Sequence, residues 1–171
     1  MLAAGADIIT TGNHIWRAKD FRLRLDQSDN IIRPANYPNS CPGKGYAFLN
    51  VAGTQIAFLN IQGRVFFRET LDCPFKTAET MLLFLKSRAK VVFVDFHAEA
   101  TSEKAAMGYY LDGKVSGVVG THTHIQTADE RILPKGTGFI TDLGHCGSLN
   151  SSIGVKPGPV LNMFLTQMPH K

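Results

Sequence analysis

The 171-residue sequence predicts an α/β fold with some antiparallel pairing added. Three observations carry that reading. Short β-branched or aromatic runs alternate with stretches of helical spacing. The run Val91 to Phe96 is apolar on both faces, as a buried parallel strand is. Turn signals at Ala52-Gly53 and Pro134-Lys135-Gly136 each separate two strand-like runs, as hairpins require.

The elements follow in order. Met1 to Asp7 reads as the last turn of a helix, with Gly5 as its C-cap. Ile8 to Thr11 is a short buried strand, and Gly12-Asn13-His14 is the turn after it. Arg17 to Gln27 has helical spacing through Phe21 and Leu25. Ile31-Ile32 leads into a Pro/Asn-rich loop from Arg33 to Gly45. Tyr46 to Val51 and Gln55 to Ile61 form a hairpin, and Gln62 to Asp72 is loop. Cys73-Pro74 precedes a helix whose stripe is Ala78, Met81, Leu82 and Leu85. Thr101 or Ser102 caps a helix that runs to Leu111 and ends at Asp112-Gly113. Val115 to Val119 is a second buried strand. Arg131 to Leu133 and Gly138 to Thr141 make a second hairpin. Pro159 opens a last helix through Met168.

Composition excludes several classes. Hydrophobic residues make up 44% and charged residues 19%, which is globular rather than disordered. The net charge of +4 is dispersed, with no basic run that would mark a nucleic-acid or membrane patch. The longest purely apolar run is far too short to cross a bilayer. The first residues lack the basic and apolar regions of a signal peptide. Cys41, Cys73 and Cys146 are an odd count without a CxxC pair, so neither a disulfide framework nor a zinc finger is expected, and a reducing cytoplasm is. No repeat or linker divides residues 1–171, so one domain is expected.

Chemistry concentrates at three strand ends. One strand runs into Gly12-Asn13-His14, another into His97-Ala98-Glu99, and a third into Gly120-Thr121-His122-Thr123-His124. Ligands in α/β sheets bind outside the carboxyl ends of strands, and four of the six histidines fall there. In extended chain His122 and His124 face the same side, with Thr123 turned away. Their imidazoles suit Zn, Fe, Mn or Ni; Asn13 adds a carbonyl oxygen and His97 a third nitrogen. Asp95 shares the parity of His97 and is placed to orient a ligand from behind. Each histidine taken alone reads more often as a hydrogen-bonded structural residue, and HxH also occurs in amidohydrolase barrels and cupins. Glu99 and Glu103 read either as partners of the ligands or, preferentially, as charges favourable to a helix N-terminus. Trp16 reads as core or as a stacking surface, and Arg64 as a phosphate contact or a solvated side chain. His145 and Cys146 form a further polar pair, and His170 is read as solvated.

Longer motifs make the pattern specific. Gly-Asn-His-Ile-Trp (12–16), Arg-Pro-Ala-Asn-Tyr-Pro (33–38), Asp-Phe-His-Ala-Glu-Ala-Thr-Ser-Glu-Lys (95–104), Gly-Thr-His-Thr-His-Ile-Gln-Thr-Ala-Asp (120–129) and Ile-Leu-Pro-Lys-Gly-Thr (132–137) occur in this order. The sequence resembles the YmdB-like branch of the calcineurin-like metallophosphoesterases over essentially its whole length. The resemblance implies a four-layer α/β/β/α sandwich with a two-metal centre. It implies phosphodiesterase activity, with 2′,3′-cyclic nucleotides as one substrate class. Family ligands fall on Asn13, His97, His122 and His124, the first three on one metal (Fe, Mn or Zn) and His124 on the other. His14 resembles the family's proton donor to the leaving alkoxide.

The sequence departs from the family at its start. The family opens with a strand carrying Asp and a second strand ending in Gly-Glu-Asn, which supply a metal-binding Asp and a bridging carboxylate. Neither appears before Met1, and the family's last strands do not appear after Lys171. A partial sandwich is therefore expected. Without those carboxylates, two divalent cations would repel strongly, so one metal at most is expected, held by Asn13, His97 and His122. An exposed sheet edge and face would favour pairing with another chain, a homo-oligomer included. The competing reading is a catalytically inactive remnant, or a half-site that acts only when paired.

Overall fold

Strand propensity and turn chemistry set the sheet. The hairpin joins β3 (Tyr46–Val51) to β4 (Thr54–Gln62). Its two turn residues, Ala52 and Gly53, have φ of 49° and 81°, the paired positive values that suit the twist of a two-residue hairpin. The chain continues through α2 (Pro74–Lys86), β5 (Val91–His97), α3 (Thr101–Leu111), β6 (Gly117–Thr121), β7 (Arg131–Ile132), β8 (Gly138–Ile140) and α4 (Pro157–Thr166). Upstream lie β1 (Ile9–Thr10), α1 (Lys19–Asp26) and β2 (Ile31–Ile32), after a 3-10 turn over Leu2–Ala4 that ends at Gly5. The computed structural model describes residues 1–168; His170 lies outside them.

β3 to β8 form one six-stranded sheet in the order β3-β4-β5-β6-β8-β7. β4, β5, β6 and β8 run parallel, and β3 and β7 pair antiparallel at the two edges. The fold is therefore α/β. α2 and α3 carry the crossovers and cover one sheet face. Leu82, Leu85, Met107 and Leu111 pack there on Leu59, Ile61, Val92, Val94, Phe96 and Val118. Each such side chain contributes about 1.5–3 kcal/mol on burial.

The opposite face differs from the sequence expectation. β5 is not buried on both sides: Phe93 is 36% exposed and stacks on Phe58 at 5.8 Å. Only part of this face is covered. β1 lies over it, leaving a cavity of about 460 Å³ walled by Ile8, Thr10, Phe58, Phe93, Asp95 and Val119. α4, though largely apolar, buries none of its residues among those described.

Three local expectations also shift. α3 has Ala100 at its N-cap with no side-chain capping bond, rather than Thr101 or Ser102. β6 starts two residues later than the apolar run suggests, because its register with β5 and β8 begins at Gly117. α4 starts at Pro157 instead of Pro159, with the proline still in the first turn.

Candidate metal centre

The carboxyl ends of β5 and β6 place His97 and Thr121 side by side, since the two residues are in register. The Gly12–Asn13 turn reaches them from β1. Asn60 on β4 donates through Nδ2 to the Thr11 carbonyl at 2.7 Å, and Thr11 Oγ1 donates to the Ile32 carbonyl at 2.9 Å. These bonds tie the ends of β1 and β2 to the main sheet. Gly12 is needed for close approach: a Cβ there would fall on the His97 imidazole.

The result is a tight cluster. His97 Nε2 lies 3.1 Å from Asn13 Oδ1 and 3.2 Å from His122 Nδ1. On its other side, His97 Nδ1 lies 3.1 Å from Thr121 Oγ1. Thr121 in turn donates its hydroxyl proton to Asp95 Oδ1 at 2.8 Å. Asp95 is buried and also bonded by Thr10; burial pushes its carboxyl up to about 6, so it is ionised at neutral pH. His122 Nε2 meets Glu99 Oε2 at 3.0 Å.

Hydrogen-bond complementarity assigns the protons. The Thr121 hydroxyl hydrogen is committed to Asp95, so Thr121 Oγ1 accepts from His97 Nδ1–H. Burial, reinforced by the neighbouring His122 and Lys104, drives the His97 pKa down to about 3, so the ring is neutral and Nε2 is bare. Burial also lowers His122, against the pull of Glu99. With its one proton on Nε2 toward that carboxylate, Nδ1 is bare too. Three lone pairs, on Asn13 Oδ1, His97 Nε2 and His122 Nδ1, then converge without a proton among them. Neutral acceptors face one another in this way when a cation lies between them. The 3.1 and 3.2 Å separations from His97 Nε2 suit donors about 2.0–2.1 Å from one shared ion. The outer carboxylates, Asp95 and Glu99, orient the rings in the way carboxylates support metal-bound histidine. The residues therefore fit one metal ion. The donor set consists of two histidines and the Asn13 carboxamide; among the described residues no group of three or more His, Cys, Asp or Glu side chains is placed to hold an ion.

The two histidines of the HxH segment do not lie in extended chain. β6 ends at Thr121, and His122 and His124 have φ of 104° and 66°. Left-handed backbone is costly for such residues and persists where the surroundings impose it. Here Asp142 imposes it. Its Oδ2 accepts from Thr123 N at 3.1 Å and Thr123 Oγ1 at 2.6 Å, and also from the buried Lys104 ammonium at 2.7 Å. With Thr123 gripped, His122 turns to His97, ring centroids 4.8 Å apart, while His124 stacks on His145 at 5.4 Å.

The remaining candidates fall around this centre. His14 is exposed and lines a cleft of about 630 Å³ beside Asn13 and His122. Trp16 is half-buried, edge-on to Tyr37 at 5.4 Å, and also lines the cleft. Glu99 meets His122, rather than only lending charge to a helix end. Glu103 is buried, and its carboxylate accepts from the amides of Arg64 and Val65. Arg64 is exposed and does not line the cleft; Arg17 and Arg68 do. Cys41, Cys73 and Cys146 are free thiols. Sequence reasoning missed Thr121, Phe67 and Arg68. The Thr121 signal lies in the strand register, since it directly opposes His97.

Fold and cluster together define an α/β protein with an imidazole–carboxamide donor set at the carboxyl ends of a parallel sheet. The chain belongs to the YmdB-like protein family, whose model matches residues 1–171. It is 46% identical over 169 residues to a 2′,3′-cyclic-nucleotide 2′-phosphodiesterase of Bacillus subtilis strain 168, covering 99% of this chain and 64% of that protein. A solved structure of a hypothetical protein from Thermus thermophilus superposes with a TM-score of 0.92 at 43% identity, covering 99% of this chain and 66% of that one. That of a novel phosphatase from Mycoplasma pneumoniae gives a TM-score of 0.89 at 35% identity, covering 99% and 62%. This chain thus spans 64% of the length of the curated relative.

Proposed function

We propose that this chain carries the metal centre of a metallophosphoesterase that hydrolyses phosphodiesters, 2′,3′-cyclic nucleotides among them. One observation carries the reading: Asn13 Oδ1 and His122 Nδ1 both meet His97 Nε2, beside a cleft that Asn13 and His122 line together with His14. The names of the Bacillus and Mycoplasma relatives support the same class.

Asn13, His97 and His122 would hold one divalent ion, Fe, Mn or Zn, and His124 would help to hold a second where carboxylates are supplied to balance its charge. Such an ion would supply Lewis-acid chemistry, polarising a phosphoryl oxygen and lowering the pKa of water. Asp95, through Thr121, and Glu99 keep the two imidazoles in the tautomers that present bare nitrogens. Phe67, its ring 4.9 Å from that of His122, shields that side of the cluster from solvent. His14, exposed on the cleft wall next to Asn13, gives a proton to the leaving alkoxide, which departs poorly without one.

Two measurements test this. Calorimetry with Mn²⁺ on the 171-residue chain is expected to give one ion per chain, abolished in His97→Ala. Two tightly held ions, or undiminished binding in the variant, would overturn the assignment. Hydrolysis of a chromogenic diester and of a 2′,3′-cyclic nucleotide is expected to require Mn²⁺ and to vanish in His97→Ala. Metal-independent turnover, or turnover that survives the substitution, would sink the phosphodiesterase reading.

The exposed Phe93 and the apolar, uncovered α4 favour a second reading, a half-site that turns over only when paired with further polypeptide. It predicts association in sedimentation runs; a cooperative, monomeric unfolding transition would contradict it.

A further inference from the structure

The loop after β4, residues 63–69, packs against the two histidines of the donor set. Arg64, Val65, Phe66 and Arg68 are exposed, and Phe67 alone among residues 64–68 is half-buried. Its ring centroid lies 4.9 Å from that of His122 and 6.2 Å from that of His97. His122 needs such a wall. Its backbone is left-handed, with φ of 104°, and β6 has ended one residue before it, so strand pairing does not fix its side chain. Glu99 holds one edge of the ring at Nε2, but from a side chain that is itself 46% exposed. The Phe67 ring limits the rotations that would turn His122 Nδ1 away from His97.

A loop this exposed does not hold an aromatic ring in place by burial. Its backbone does so. Gly63 N donates to the His97 carbonyl at 2.9 Å, which ties the start of the loop to a ligand residue. The buried Glu103 takes the next two amides, Arg64 N at 3.0 Å and Val65 N at 3.3 Å. Phe67 N then closes a turn on the Arg64 carbonyl at 3.3 Å. The fit is close, since a Cβ at Gly63 would fall on the Glu103 carboxylate and on Ala98. Glu103 is the third residue of α3. A glutamate there commonly folds back on the N-cap amide of its own helix. This one reaches instead to backbone 38 and 39 residues upstream. Amides held by a carboxylate make the stronger, charge-assisted kind of hydrogen bond.

We propose that Glu103 is a positioning residue for the metal centre: by gripping the Arg64 and Val65 amides it holds Phe67 against His122 and His97, and that contact keeps both bare nitrogens directed at one ion. The proposal rests on the metal-centre reading above and adds to it a residue outside the donor set.

The test is a double-variant cycle on the 171-residue chain, read by calorimetry with Mn²⁺. Phe67→Ala and Glu103→Gln are each expected to weaken Mn²⁺ binding about tenfold, the lower end of what the partners of metal-bound histidine are worth. Phe67→Leu keeps an apolar group on the rings and is expected to recover most of the affinity. The double variant is expected to bind no more weakly than Phe67→Ala alone, because Glu103 acts through that ring. Unchanged affinity in either single variant, or a double variant weakened by the product of the two single losses, would overturn the proposal. Backbone hydrogen exchange supplies a readout that needs neither metal nor turnover. In the metal-free wild type the Arg64 and Val65 amides are expected to exchange far more slowly than the Phe66 amide, and in Glu103→Gln to lose that protection while β5 keeps its own. Equally fast exchange at all three amides in the wild type would also overturn the proposal. The two readings fail distinguishably: no Mn²⁺ binding by the wild type removes the metal centre and this role with it, whereas tight binding with a multiplicative cycle removes only the role of Glu103.

Discussion

Asp142→Asn is expected to destabilise the chain and to loosen the metal centre together. Lys104 Nζ and Asp142 Oδ2 are 2.7 Å apart, and both side chains are 1% exposed. Their gross attraction is about 6 kcal/mol at an effective dielectric near 20, set against the desolvation of both ions. Removing one partner of a buried pair costs about 3–5 kcal/mol, because it strands the other charge. The two sides are not equivalent. Without Lys104, Asp142 still accepts from Thr123 N, Thr123 Oγ1 and Gly144 N. Without the Asp142 charge, Lys104 loses its one ion-pair partner among the described residues, leaving only the longer-range pull of Asp95. Asp142→Asn should therefore reach the upper part of that range and Lys104→Met the lower. At about 2–4 °C per kcal/mol, Tm falls by about 6–20 °C. Thermal melts followed by circular dichroism on wild type, both single variants and the double variant form a cycle, and the double should lose well under the sum. Burial pushes the Asp142 carboxyl up, but the donors from Lys104, Thr123 and Gly144 outweigh it and hold it below the usual range. A depressed folded pKa gives stability that is complete above about pH 4 and is lost as pH falls through the folded value. The acid limb of wild-type stability should therefore flatten in Asp142→Asn. Mn²⁺ affinity should fall as well, since Thr123 loses the acceptor that holds His122 in place. A loss below about 1 kcal/mol, or strict additivity in the cycle, would refute the reasoning.

Gly12→Ala should lower Mn²⁺ affinity at least about tenfold with an unchanged circular dichroism spectrum, because the new methyl displaces the His97 ring. Thr121→Val, which breaks the link from His97 to Asp95, should cost about 10–100-fold in metal affinity by calorimetry. Burial acts to raise Asp129, but hydrogen bonds from Thr127 and Thr141 outweigh it and bring the carboxyl down to about 2. Its contribution is present above about pH 4 and lost as pH falls toward 2, so Asp129→Asn should flatten pH-dependent melts in that window. His97 and Asp95 act in opposite senses in the metal-free chain. His97, lowered to about 3 by burial, makes stability rise with pH from about 3 to 6.5; Asp95, raised to about 6 by burial, makes it fall with pH between about 4 and 6. Asp95→Asn should steepen the rise between pH 4 and 6, and a shallower slope would contradict both assignments.

How much of this was legible in the sequence depends on the range of the interaction. Periodicity and turn residues are local, so the hairpin at Ala52-Gly53, the stripe of α2 and the clusters at the ends of β1, β5 and β6 could all be read directly. The HxH segment misled because its parity assumed extended chain. The force that turns it out of that state comes from Asp142, 19 residues away from Thr123. The outward face of β5 misled for a similar reason: an apolar run does not say which neighbours cover each side. Glu103 looked like a helix-end charge because it sits in the first turn of α3, while the amides it holds lie 38 and 39 residues upstream. Lys104 is a different case, for its signal was present. Positions 104, 107, 108 and 111 recur at helical spacing on one face of α3, and the structure buries all four. A lysine on an apolar stripe demands a buried acid. The residue meeting that demand is Asp142, in the segment just after β8, 38 residues downstream and so beyond the reach of local periodicity.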